Sequence, residues 1–343
     1  MAGKAFVTGA SGFLGRAIVT ALIAGGRSVR VLTRSQATAQ QLAALGAEPV
    51  RGDLRDRASL EAGFAGCEVV YHAAGVNAFC VPDPRPMFAV NIAGSRAVVL
   101  AAAAAGVARV VYTSSASTLD VTPAVAGDAH RGARRFLSHY ARSKYEAEQA
   151  VLEASASTGV AVVCVNPASV QGPGRTSGTA RLLIGYLNGK LPAAVNGPLN
   201  VIDIADCTLG HLLAEERGVP GERYLLCGAS MTLRSGLALL SRLTGLTDSP
   251  RFLPPRVALA AAGGIELVAR ARGKHTRFCR EMVRTLVEGA PYDGTQPARE
   301  LGLVYTPIET TMRRTIAWYL EQGLITRPLP GFTGSTPDTL DPA

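Results

Sequence analysis

Tyr140-Ala-Arg-Ser-Lys144 sets a phenol and an ammonium four residues apart. On a helix that spacing stacks the two groups on one face, one turn apart. A free tyrosine titrates near about 10, too high for an efficient base at neutral pH. A neighbouring ammonium favours the phenolate, so Lys144 is expected to lower the value for Tyr140. The phenol could then give a proton to an oxygen on a reacting carbon, or take one from it. Ser115, in Val110-Val-Tyr112-Thr-Ser114-Ser115-Ala-Ser117, closes a run of strand-forming residues. A hydroxyl there could bond the same oxygen and steady its developing charge, although serines also favour plain turns. Tyr145 points about 100° away from Lys144 on the same helix, and His139 likewise projects elsewhere.

Gly9-Ala-Ser11-Gly12-Phe13-Leu14-Gly15 follows an apolar first strand and opens a first helix. In that context Gly9 allows the tight turn, Gly12 lets backbone approach a pyrophosphate, and Gly15 lets the helix pack against the strand. Helix N–H groups then face the phosphate charge. The second strand ends in Val31-Leu32-Thr33-Arg34-Ser35, with no acidic residue. A carboxylate there would bond a ribose 2′-hydroxyl, whereas Arg34 suits a 2′-phosphate. NADP(H) is therefore expected over NAD(H), with Arg30 a lesser helper. Asp53, in Gly52-Asp53-Leu54, could bond the adenine or cap a helix.

These groups need a frame, and the 343 residues supply enough chain for one large α/β domain and a smaller lobe. Strands are predicted at 5–8, 28–33, 48–51, 69–72, 109–113 and 161–165. Helices are predicted near 14–24, 37–45, 57–64, 87–105 and 140–155. This alternation specifies a Rossmann-type, doubly wound parallel sheet, covered on both faces. The Rossmann domain is expected over 1–172, with its sheet completed by strands at 201–204 and 223–226. A discontinuous substrate lobe then takes 173–200 and 228–326, and a mobile tail follows from 327. Six scattered cysteines without zinc-like spacing read as thiols in a reducing cytoplasm. The five histidines suggest no metal site, and His211 and Trp318 read as packing residues. No leader or membrane span is expected.

Gly9-x-x-Gly12-x-x-Gly15, Asp53-Leu54, His72-Ala73-Ala74-Gly75, Asn91, Ser114-Ser115 and Tyr140-x-x-x-Lys144 occur in one order along the chain. That order resembles the extended short-chain dehydrogenase/reductases, over residues 4–325. The closest likeness is to dihydroflavonol 4-reductase-like and hopanoid-associated sugar epimerase-like proteins. The resemblance implies Ser115, Tyr140 and Lys144 as catalytic residues, with Lys144 also anchoring the nicotinamide ribose. It implies cofactor contacts from the glycine loop (Ser11, Phe13 and Leu14 included), Leu54, Ala73, Ala74, Gly75 and Asn91. Pro167, Ser169 and Val170 match the segment that packs on the nicotinamide. The family commonly has Arg before that proline, where this chain has Asn166. The resemblance also implies a homodimer.

The expected activity is NADP(H)-dependent carbonyl reduction or alcohol oxidation on a hydrophobic or polycyclic small molecule. A nucleotide-sugar epimerase with retained cofactor, or a non-catalytic NADP sensor, would use the same fold. Ala116-Ser117 lacks the Asp-Glu pair of dehydratases. The net charge of +9 suits an anionic ligand better than nucleic acid, for which no binding module is visible. A basic segment, Arg270, Arg272, Lys274, His275, Arg277, Arg280 and Arg284, allows three readings: a solvated face, a pyrophosphate clamp, or contact with anionic lipid beside the apolar Val257–Ile265 run.

Overall fold

Apolar runs at 4–8, 67–72 and 109–113 make strands that are buried on both faces. A computed structural model describes residues 3–119, 136–276 and 278–333. Its main sheet is formed by β1 (Lys4–Thr8), β2 (Val29–Thr33), β3 (Glu48–Arg51), β4 (Cys67–His72), β5 (Arg109–Thr113), β6 (Ala161–Pro167) and β10 (Arg223–Leu226). The order is β10-β6-β5-β4-β1-β2-β3, with every neighbouring pair parallel. Strand order reverses at β1, and ligands bind such sheets in the crevice at the carboxyl end of that reversal.

Successive side chains leave a strand on opposite faces. Ala5 and Val7 thus enter one core layer with Ile18, Val31 and Val163, while Phe6 enters the other with Leu60, Phe64, Val98 and Val110. Helices α1 (Phe13–Ala24), α2 (Gln36–Ala43), α3 (Arg57–Phe64), α4 (Arg85–Phe88), α5 (Ser95–Ala104) and α6 (His139–Thr158) flank the sheet. A π-helical turn, Ala89–Gly94, joins α4 to α5. The resulting helical run, Arg85–Ala104, is long and apolar enough to cross a membrane. Its Met87, Val98, Val99, Ala101 and Ala102 are instead buried within this protein.

The strand expected at 201–204 belongs elsewhere. β10 occupies the sheet edge beside β6, with Tyr224 opposite Val165. The segment instead forms β9 (Pro198–Asp203), pairing in parallel with β7 (Ser169–Gln171) and antiparallel with β11 (Ala229–Thr232). Two short strands, β8 (Ala193–Ala194) and β12 (Arg251–Phe252), make a third sheet. Around these sheets lie α7 (Thr179–Leu187), α8 (Ile204–Arg217), α9 (Leu233–Thr244), α10 (Pro255–Ala271), α11 (Arg280–Glu288), α12 (Thr295–Glu300) and α13 (Ile308–Glu321). Leu237, Leu240, Tyr186, Met312 and Ile316 form the core of the lobe.

Two expectations need correction. Residues 327–333, assigned to the tail, pack on the lobe: Arg327 pairs with Asp248 at 2.5 Å and Gly331 N donates to Thr244 O. Leu329 and Phe332 join the lobe core; residues 334–343 lie outside the described residues. Among the cysteines, Cys80 and Cys279 form a disulfide across 199 residues, because folding brings the loop after β4 against the start of α11. The other four are buried thiols.

His72 and His211 are fully buried. His72 lies between Thr8 Oγ1 at 2.7 Å and Ser95 Oγ at 2.9 Å. His211 lies between Thr113 Oγ1 at 3.0 Å and the Cys207 carbonyl at 2.7 Å. Burial drives His72 from 6.5 to about 3 and His211 to about 4. Below 6.5 the unfolded chain therefore binds more protons than the folded one, and stability is lost as pH falls toward those values. Unfolding free energies from denaturant titrations should drop between pH 6.5 and 4, by up to about 1.4 kcal/mol per pH unit for each histidine. His211→Gln should flatten that slope by about one proton; an unchanged slope would contradict a neutral buried imidazole.

Candidate active site

The glycine loop is built as the spacing requires. Gly9 has φ +74°, and a Cβ there would sit 2.6 Å from Ala74 N. A Cβ on Gly15 would lie 2.1 Å from Gly9 O. Side chains at either position would force strand, loop and helix apart. Gly12 differs, since a Cβ there would meet only Gly9 O at 3.2 Å. It is the N-cap of α1, and no side chain caps that end. Uncapped amides beside an open Cβ position suit the pyrophosphate of a dinucleotide. Phe13 and Leu14 pack on the core from this turn, and Ser11 is exposed.

α6 carries the proposed proton chemistry and is capped at both ends. Ser138 Oγ accepts from Ala141 N at 3.0 Å, and Gly159 closes the helix with φ 79°. Tyr140, Lys144 and Glu148 recur every four residues and so share a face. Lys144 is 4% exposed. Its Nζ donates to Tyr112 Oη at 2.9 Å and to the Thr113 carbonyl at 2.8 Å, and lies 4.5 Å from the Tyr112 ring centre. Burial lowers its ammonium to about 8, with the Glu148 carboxylate opposing that shift. Tyr112 also hydrogen-bonds Ser95, which meets His72, which in turn meets Thr8. A line of buried polar contacts thus runs from β1 to the ammonium.

Asn91 and Gly75 converge on the same place. Asn91 Oδ1 accepts from Val76 N at 2.8 Å, and its Nδ2 donates to Val76 O and Ser143 Oγ. A Cβ on Gly75 would lie 3.3 Å from Asn91 Oδ1 and 3.9 Å from Lys144 Nζ. Ala73 and Ala74 continue β4, their amides donating to Thr8 O and Thr8 Oγ1.

Tyr140 departs from the expectation. Burial raises its phenol, a hydrogen bond with Ser115 and the charge of Arg175 pull it back, and Lys144 is not among the causes. The ammonium is directed at Tyr112 and Thr113 instead, so burial decides the sign. Ser115 also lies 2.9 Å from Ser117 Oγ. Phe79 covers the phenol, with ring centres 5.9 Å apart. The loop bearing Phe79 is held by the Cys80–Cys279 bond and by Glu281, which accepts from Cys80 N at 2.9 Å and from His139 N at 2.5 Å.

Arg175 is a site residue the sequence reading missed. Its guanidinium lies 5.5 Å from the Phe13 ring centre and is depressed by burial, with Tyr140 and Tyr319 opposing. Only its place just after Gly172-Pro-Gly174 hinted at a role. Asn166 is fully buried, and its Nδ2 donates to Glu148 Oε2 at 2.8 Å, Thr118 Oγ1 at 3.0 Å and Ser115 O at 3.3 Å. It braces the serine from below, and Glu148 is paired in turn with Arg223 at 2.7 Å.

The other expected contacts spread along the sheet's carboxyl edge. Arg34 is 80% exposed and 3.8 Å from Asp53. Asp53 also accepts from Arg55, whose hydrogen bonds hold its carboxyl low. Capping of α3 falls to Asp56 rather than Asp53. Arg30 is committed to Glu48, Gly63 O and Ala65 O, so it is no helper. Leu54 packs near Gly94, 3.3 Å from the position of a Cβ there. Pro167 ends β6, Ser169 Oγ donates to Thr179 Oγ1, and Val170 is buried in the core.

A reversed-order parallel sheet, a glycine loop at the helix start and a Ser-Tyr-Lys set at the carboxyl edge define a Rossmann oxidoreductase of the extended short-chain dehydrogenase/reductase type. The NAD dependent epimerase/dehydratase family model matches residues 5–227, and the chain belongs to that family. It is 34% identical to the sterol demethylase protein B of Methylococcus capsulatus, over 93% of this chain and 99% of that one. It is 36% identical to a 4-hydroxy-2-methyl-3-oxo-4-farnesyl-3,4-dihydroquinoline-1-oxide ketoreductase of Stigmatella aurantiaca, over 87% and 91% respectively. The crystal structure of a nucleoside-diphosphate-sugar epimerase from Pseudomonas aeruginosa is similar, with a TM-score of 0.73 at 26% identity, over 94% of this chain and 99% of that one. The protein is an NAD(P)-dependent enzyme.

Tyr112→Phe keeps the ring under Lys144 and removes one acceptor of its charge. The charged form should weaken, moving the alkaline limb of nicotinamide-cofactor affinity down by roughly one pH unit. Fluorescence titrations from pH 7 to 10 would measure it, and an unmoved limb would separate Tyr112 from the ammonium's charge.

Proposed function

We propose that the enzyme is an NADP(H)-dependent reductase of a ketone, or dehydrogenase of the matching secondary alcohol, on a lipophilic, polycyclic small molecule. The observation that carries this reading is the approach of the Tyr140 phenol to the Ser115 hydroxyl, which sets two hydroxyls side by side for one substrate oxygen. The bound nicotinamide supplies or accepts the hydride. Burial favours the neutral phenol, so Tyr140 is poised to donate its proton to the oxygen that gains negative charge. Ser115 steadies the same oxygen, and Asn166 keeps Ser115 in place. Lys144, held by Tyr112 and Thr113, presents a positive charge suited to ribose hydroxyls. Phe79 shields the phenol from water.

Relatives at 34% and 36% identity are named for a sterol and for a farnesylated quinoline, which supports a lipophilic substrate. The absence of an acidic residue at the end of β2, with Arg34 exposed there, supports NADP(H). A second reading, epimerisation of a nucleotide sugar, draws on a cleft of about 860 Å³ beside His139, lined by Arg142, Arg270 and Arg284. Net consumption of NADPH with ketones, and none with UDP-sugars, would select the reductase. The reverse pattern, interconversion of sugars without net redox change, would overturn it.

Tyr140→Phe should lower kcat by at least about a hundredfold while NADPH affinity stays within about twofold, since only the proton donor is lost. Substantial residual turnover would remove the assignment. Arg34→Ala should weaken NADPH about tenfold or more and leave NADH nearly unchanged; equal losses would argue against a 2′-phosphate contact.

A further inference from the structure

α10 turns its apolar side outward. Its inner face is small and buried: Ala258 and Ala262 pack with Val195 and Val283. Glu266, on the inner side, accepts from Arg280 N at 2.8 Å. Val257, Ile265, Leu267 and Val268 are 50%, 44%, 68% and 48% exposed, joined by exposed Ala261 and Gly264. With 100° between successive residues these six fall on one arc. A contiguous apolar face of this kind on a surface helix marks a place where something docks.

The charges around the arc indicate what docks. Arg256 is exposed at one end, and Arg270, Arg272, Lys274 and His275 are exposed at the other. Among the described residues no carboxylate forms an ion pair with Arg256, Arg270, Arg272 or Lys274. Arg277 lies outside the described residues. A second copy of the chain, packed face to face, would set these basic ends against each other in either orientation. An anionic bilayer takes both features at once: apolar side chains enter the headgroup–acyl boundary while the flanking cations meet lipid phosphates.

We infer that α10, with its basic C-terminal end, is a docking surface for anionic membranes. The inference does not depend on which reaction the active site performs. Flotation of the full chain with phosphatidylcholine vesicles, with and without phosphatidylglycerol, tests it. Binding should require phosphatidylglycerol and weaken in high salt. Two exposed-site variants, Leu267→Glu/Val268→Glu and Arg270→Ser/Arg272→Ser/Lys274→Ser, should each reduce it roughly tenfold or more, with unchanged circular dichroism and Tm. Equal binding to both vesicle types, no binding to either, or variants that bind like the parent would overturn the inference. So would light scattering in which Leu267→Glu/Val268→Glu splits an oligomer while vesicle binding is retained, because the face would then belong to a second copy.

Discussion

The ammonium of Lys144 is a cation inside the protein, and its burial is the constraint around which the site is arranged. A buried charge is tolerated only where hydrogen bonds replace water. Tyr112 and the Thr113 carbonyl accept two of its protons, and both belong to β5, the strand that also leads to Ser115. Holding Lys144 against the end of β5 therefore fixes the rotation of α6 and brings Tyr140, one turn earlier, up to the serine. Thr8, His72 and Ser95 extend the support back to β1, so the glycine loop and Tyr140 are positioned by one continuous set of contacts. Burial keeps His72 neutral, and the positive charge of Lys144 opposes its protonation further.

The lobe reaches this arrangement from the other side. α11 supplies Glu281 to the backbone of both Cys80 and His139, and the neighbouring Cys279 adds a covalent link. Phe79 is thereby held over the phenol. Arg175 approaches from the segment leaving β7, against Phe13. The lobe and the loop after β4 thus meet Tyr140 from one side, while β5 and α6 bring Ser115, Tyr140 and Lys144 together.

How much of this the chain discloses in one dimension depends on the range of each interaction. Gly9, Gly12 and Gly15 act within one turn, and Tyr140 and Lys144 within one helix, so their spacing was enough to find them. The strands of the main sheet were legible for the same reason. The edge place beside β6 is taken by β10 alone, which periodicity cannot decide, so residues 201–204 were placed in the wrong sheet. Tyr112, Ser95 and Arg175 gain their roles from partners far away in sequence. The pairing of Cys80 with Cys279 is likewise a product of folding, since composition alone argued for free thiols. Tyr140 was expected to be more acidic because Lys144 is near in sequence, but the ammonium's hydrogen bonds point it at β5.

The central claim, that this pocket reduces a substrate carbonyl by direct hydride delivery with Tyr140 as the acid, is tested most directly by isotope. NADPH carrying deuterium at both positions of its reactive ring carbon should place the label on the carbinol carbon of the product, in step with the cofactor consumed. Loss of NADPH with no deuterium in the alcohol, or a turned-over sugar with no net loss of NADPH, would contradict it.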